Sequence, residues 1–98
     1  MTILAFLLAL QTAATPLTVE SLVGLDEAAA RRQLGEPDIA RREAKGALWT
    51  YRRQGCVLLV YLAEKPGEGL RVTGASSGQR RAGDTPIPVE TCLARPRG

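Results

Sequence analysis

LWTYRRQGCVLLVYL, Leu48 to Leu62, is the stretch whose pairing decides how this chain folds. Ala47, Trp49 and Tyr51 alternate with Leu48, Thr50 and Arg52, which is the period of a strand. After Arg53-Gln54-Gly55, where Gly55 can supply the positive φ of a three-residue hairpin loop, CVLLVYLA runs back as a second strand. With Arg52 facing Cys56, Tyr51 falls opposite Val57, Trp49 opposite Leu59 and Ala47 opposite Tyr61. These six residues then share one face, the expected floor for the helices. Cys56, Leu58, Val60 and Leu62 point to the other side, and a strand apolar on both faces is normally covered on both.

Upstream, LGEP (Leu34 to Pro37) is a helix stop: Gly35 can adopt the left-handed C-cap conformation and Pro37 forbids continuation. The helix before it starts at Asp26, an N-cap, with Glu27 suited to the positive end of the helix dipole and AAARRQL following. A shorter helix precedes it, capped by Thr18, stapled by Leu17 and Leu22 and ending at Gly24. Two helices this short cannot fold alone, so Val19, Leu22, Val23, Ala30 and Leu34 are expected to rest on the sheet.

Downstream, Pro66-Gly67 is a turn dipeptide, and a third strand is expected from Leu70 to about Ala75. GASSGQRRAGDTP then reads as a flexible connector, assigned to residues 76–86 and followed by a C-terminal tail over residues 87–98. Cys56 and Cys92 are the only cysteines and no histidine is present, so a disulfide fits better than a metal site. Such a bridge would draw Ile87, Val89 and Leu93 over Leu58 and Val60. The competing occupant of that face is a partner protein or a second copy of the chain. The expected fold class is therefore α+β: two short N-terminal helices packed on a three-stranded antiparallel β-meander, with a C-terminal tail tied by the disulfide.

The run ILAFLLAL, Ile3 to Leu10, followed by Thr12, Ala13 and Ala14, has the length and flank of a signal peptide and is too short to span a bilayer. Residues 1–14 are thus expected to be cleaved, leaving residues 15–98 as one small domain in an exporting, disulfide-permissive compartment. Net charge is +3 with a pI near 9.3, carried by arginine pairs at Arg31-Arg32, Arg41-Arg42, Arg52-Arg53 and Arg80-Arg81. Such pairs are ordinarily a solvated surface, and the functional alternative is contact with an acidic protein or anionic lipid. Nucleic acid is not the expected partner, because the few aromatic residues are not interleaved with the basic pairs.

Catalysis is not expected either. The common general base is missing, and Ser21, Ser76 and Ser77 have no neighbouring motif to activate them. Glu64 and Glu68 flank an exposed turn as solubilising charges, and no glycine-rich phosphate loop opens a helix. No cofactor, catalytic residue or metal ligand is assigned.

Helix, cap, LGxP, a short extended stretch, WxY and an antiparallel meander together resemble the BamE/SmpA family of small outer-membrane assembly proteins. Gly24, Leu34, Gly35, Pro37, Trp49 and Tyr51 carry the likeness. More narrowly, the order of segments is similar to small exported proteins of alphaproteobacterial type. The chain departs from the family pattern in having no cysteine before Cys56 and in adding the Cys56 and Cys92 pair with its C-terminal segment. The resemblance implies two helices on a three-stranded sheet, a non-catalytic envelope scaffold or assembly-accessory role, and a location in the periplasm or on the periplasmic face of the outer membrane. It further implies a protein partner in the envelope, with the chain a monomer or weak dimer. Arg41, Arg42, Arg52 and Arg53 are the candidate interaction residues. The same architecture also serves exported enzyme inhibitors, so a soluble periplasmic inhibitor or ligand-binding module is the rival expectation.

Overall fold

The computed structural model describes residues 16–98, and the signal peptide expected over residues 1–14 lies outside the described residues. The elements run α1 (Val19–Leu22), α2 (Glu27–Leu34), β1 (Ile39–Glu43), β2 (Gly46–Arg53), β3 (Cys56–Lys65), β4 (Gly69–Gly78) and α3 (Val89–Ala94). The strands form one antiparallel sheet in the order β1-β2-β3-β4. This corrects the expected three-stranded meander with two N-terminal helices: the described residues form four strands and three short helices.

The additional strand, β1, is IARRE, and all five of its residues are exposed. It forms through its backbone ladder with β2, from Ile39 opposite Thr50 to Glu43 opposite Gly46, closed by the two-residue turn Ala44-Lys45. Burial does not select it, so no hydrophobic period marks it.

The β2–β3 register also differs from expectation. Gln54-Gly55 is a two-residue turn, with Gly55 at φ 80°, and Arg53 rather than Arg52 faces Cys56. Tyr51 therefore pairs with Leu58, Trp49 with Val60 and Ala47 with Leu62. A one-residue slip transfers every side chain of the partner strand to the other face. The helix floor accordingly combines Trp49 and Tyr51 with Cys56, Leu58, Val60 and Leu62, while Val57, Leu59 and Tyr61 lie on the opposite side.

Residues 76–78, assigned from sequence to the flexible connector, are the end of β4, which pairs with β3 as far as Gly78 opposite Val57. An irregularity between Tyr61 and Leu62 leaves Thr73 as the extra residue of a bulge, its hydroxyl donating to the Tyr61 carbonyl at 3.2 Å. The bulge restores the parity that places Val72 and Leu70 on the helix side, where both are buried.

Local chemistry starts and stops the helices as read from sequence. Thr18 and Ser21 exchange the reciprocal bonds of a capping box, and the Asp26 carboxylate accepts from Ala29 N at 2.8 Å. Gly24, at φ 92°, turns the chain so that the α1–α2 junction runs beside β4: Gly24 N donates to Val72 O at 2.8 Å, and Val72 N donates to Leu25 O at 2.9 Å. Leu22, Ala30 and Leu34 are buried on the floor, with Val19 partly so. Val23, expected among them, instead points outward and is 48% exposed.

The tail folds as well. Cys56 and Cys92 form the expected disulfide, which joins α3 to the start of β3. With a sequence separation of 36 residues, closing that loop stabilises by about 4 kcal/mol in the chain-entropy model. Leu93 packs in the same cluster as Leu58 and Val60, with Ile87 and Val89 partly buried against it. All three helices thus share one face, whereas the tail was expected on the back. Beyond α3, Pro96–Gly98 returns alongside β2, with Gln54 N donating to Pro96 O at 3.0 Å and Gly98 N to Arg52 O at 3.4 Å. Between this segment and β1, the Asp38 carboxylate accepts Arg52 N at 2.6 Å.

Candidate functional site

The two sequence motifs of the first half meet inside the covered face. The Tyr51 hydroxyl donates to the Gly35 carbonyl at 2.8 Å, so the helix stop of LGEP is bonded to the second aromatic residue of WTY. Arg31, on the preceding turn of α2, lies over the Trp49 ring with its guanidinium carbon 4.5 Å from the centroid. Glu27 and Glu36 both hold Arg31, at 3.4 Å and 2.9 Å. Leu34 and both aromatics are buried, Pro37 is half-buried, and Gly35 occupies the C-cap at φ 83°. Gly24, Leu34, Gly35, Pro37, Trp49 and Tyr51 are therefore residues of the fold's interior and turns. Burial pushes the Tyr51 hydroxyl up to about 12, opposed in part by the nearby Arg31 and Arg53 charges.

On the opposite face, β1 presents Ile39 and Arg41, β2 presents Leu48, Thr50 and Arg52, β3 presents Val57, Leu59 and Tyr61, and β4 presents Ser76. No helix of the described residues covers them. Ile39 and Tyr61 are 44% and 41% exposed, and Leu48, Val57 and Leu59 are half-buried by their sheet neighbours alone. The Tyr61 and Ser76 hydroxyls are hydrogen-bonded at 2.9 Å, which ties the Tyr61 side chain to the neighbouring strand. Beside it, a shallow hollow of about 600 Å³ opens at the β1–β2 turn, lined among others by Glu43, Lys45, Leu48 and Tyr61.

Strand alternation splits the Arg41-Arg42 and Arg52-Arg53 pairs between the faces. Arg41, opposite Leu48, and Arg52, opposite Val57, are exposed on the open side. Arg42, opposite Ala47, reaches the helix side and bonds Glu27 at 3.1 Å. Arg53 is 9% exposed and lies over the Tyr51 ring at 5.5 Å. Burial, and then the neighbouring Arg97, push the Arg53 guanidinium below the ordinary arginine range, while Tyr51 and Asp38 pull the other way. Of the four arginines singled out in the sequence, two are thus available on one apolar surface and two serve the covered side.

Ile39, Leu48 and Tyr61 were missed as surface residues because the three-residue loop placed Tyr61 inward and β1 was not identified. Reading Gln54-Gly55 as a two-residue turn would have set Tyr61 beside Leu48 on the open face, whereas Ile39 carried no such signal. Glu64 and Glu68 do not converge on a site: Glu68 is 3.7 Å from Arg71 at the exposed β3–β4 turn. No family model, curated protein or solved structure matches the chain.

Proposed function

We propose that this chain is a non-catalytic scaffold or assembly-accessory protein of the Gram-negative cell envelope that holds an acidic protein partner against the open face of its sheet. One observation carries this: three helices crowd one face, while among the described residues no helix covers Ile39, Leu48, Val57, Leu59 and Tyr61 on the other, with Arg41 and Arg52 among them. Apolar residues beside exposed arginines suit a partner that offers an apolar strip flanked by Asp or Glu. The signal-like first residues, the disulfide and the BamE/SmpA resemblance support a place in the periplasm or on the periplasmic face of the outer membrane.

A photo-reactive residue at Leu59, compared with one at Ala28 on the exposed side of α2, tests this in envelope fractions of producing cells. The expected result is a defined adduct with a membrane-associated protein from position 59, weakened by Arg41→Glu or Arg52→Glu and absent from position 28. A soluble partner enzyme in the adduct would replace the scaffold role with inhibition. Equal, diffuse labelling from both positions would remove the open face as a binding surface.

A further inference from the structure

Where the C-terminal segment lies against β2, two arginines stand directly opposite one another. Arg53 and Arg97 are partners in an antiparallel bridge. The flanking bonds, Gln54 N to Pro96 O and Gly98 N to Arg52 O, make this a non-hydrogen-bonded pair, the geometry in which facing side chains approach most closely. Like charges so placed repel. Two more guanidinium groups converge on the same junction: Arg80 donates to Arg53 O and Gly98 O, and Arg95 donates to Gln54 O. Among the described residues, the one side-chain carboxylate within 4.0 Å of any of the four is Asp38, which is 3.9 Å from Arg97.

Arg53 is the buried member of the four. It is 9% exposed and its Nε has no hydrogen-bond partner. The Tyr51 ring, with its centroid 5.5 Å from the guanidinium carbon, offers the cation a π face but no hydrogen-bond acceptor in the plane of that Nε. Arg97 is aimed by its bond to the Glu36 carbonyl, which follows the C-cap of α2, and a Cβ at Gly35 would lie 3.1 Å from its Nη2. A glycine at position 35 thus gives that guanidinium its room as well as ending the helix.

We infer that Arg53 and Arg97 form a binding site for a phosphate group, free or carried on a lipid headgroup. Several oxygens on one tetrahedral centre can engage two guanidinium forks on neighbouring strands at once. A carboxylate has two oxygens, and the one built into the chain, Asp38, lies within 4.0 Å of Arg97 but not of Arg53. The site lies on the helix side of the sheet and is independent of the open face proposed for a protein partner.

Titration of the isotope-labelled protein with inorganic phosphate, followed at the Arg53 Nε–Hε and the Gln54 and Arg97 amides, tests the site. Saturable shifts are expected, weakened at least about tenfold in Arg97→Gln by loss of one charge-assisted fork and unchanged in Arg81→Gln. Thermal midpoints of the same samples show whether each variant is folded, and phosphate should raise the wild-type midpoint more than that of Arg97→Gln. Arg53→Lys, which keeps the charge and loses the fork, should also weaken the response. Sedimentation with phosphatidylglycerol and phosphatidylcholine vesicles separates the sources: Arg97-dependent retention by the former assigns a headgroup, and a saturable phosphate response without retention assigns the free ion. Shifts that stay linear, or that are the same in folded Arg97→Gln as in wild type, would overturn the site.

Discussion

The two faces of β3 are built from nearly the same residues and meet opposite fates. On one side Cys56, Leu58, Val60 and Leu62 are buried beneath three helices; on the other, among the described residues, no helix lies over Val57, Leu59 and Tyr61. The difference lies in what the rest of the chain can reach. A capped helix pair enters from one edge, strapped to β4 through Gly24 and Leu25, and a disulfide pulls the third helix down on the same side. Hydrophobicity alone does not determine which face becomes a core, because both faces of this strand would serve. The backbone straps and the disulfide choose, and the face left over is where apolar area stays exposed.

The largest expected effect separates the faces directly. Trp49 is 2% exposed beneath α2, so Trp49→Ala should cost about 3–5 kcal/mol by lost burial and cavity formation. Against the margin of a small domain that is close to complete unfolding. Urea denaturation followed by far-ultraviolet circular dichroism measures it. A midpoint within error of wild type would mean that the covered face is not the stabilising one.

The disulfide comes next. Reduction, or Cys92→Ser, should lower stability by about 2–4 kcal/mol. Its structural signature is release of α3 from Leu58 and Val60, turning part of the covered face into a second open one. Hydrogen exchange should then accelerate at Val89–Ala94 before it does in β2 and β3. Uniform acceleration would show that the helix layer is not held by the bridge.

How much of this was legible follows from which interactions are local. Thr18, Asp26, Gly35 and Pro37 announce helix ends because capping chemistry acts within a few residues. The disulfide was legible from the count of two cysteines without a histidine, together with the export expected of residues 1–14. The β2–β3 register was not, since Gly55 suits both a two-residue and a three-residue loop and the apolar pattern of CVLLVYL is satisfied by either slip. β1 was hidden because Ile39–Glu43 has no buried side, and the end of β4 because Gly74–Gly78 has the composition of a linker. The Arg53–Arg97 pair depends on where a disulfide-anchored tail returns, a distance relation that no local pattern carries.

Alkaline pH probes the covered face more gently. The Tyr51 hydroxyl is raised from 10.0 to about 12 by burial. Between those values the folded state binds more protons than the unfolded state, so stability is complete below about pH 10 and falls as pH rises toward about 12, by at most about 3 kcal/mol. Tyr51→Phe gives up the bond to Gly35 O, about 1 kcal/mol at neutral pH, and should lose this alkaline component. Comparing urea midpoints of both proteins at pH 8 and pH 11 isolates it, because all other titrating groups are common to the two. Parallel losses would show that Tyr51 ionises freely in the folded state.

The smallest effect on stability is expected on the open face, and it distinguishes that face most sharply. Leu59 is half-buried by its neighbours in the sheet and lies outside the core cluster. Leu59→Thr keeps a branched side chain suited to a strand while removing apolar surface, so its cost should stay below about 1 kcal/mol. Val60→Thr, one residue along the same strand, inserts a hydroxyl into a site with no exposure and should cost about 1–3 kcal/mol. Partner capture is expected to reverse the order: Leu59→Thr removes contact area at the centre of the open face, whereas Val60→Thr leaves that face intact in whatever fraction remains folded. Measuring both variants by denaturation and by cross-linking from position 48 reads the two properties separately. If Leu59→Thr destabilises as much as Val60→Thr, the two faces are energetically equivalent and the open one has a covering layer in solution.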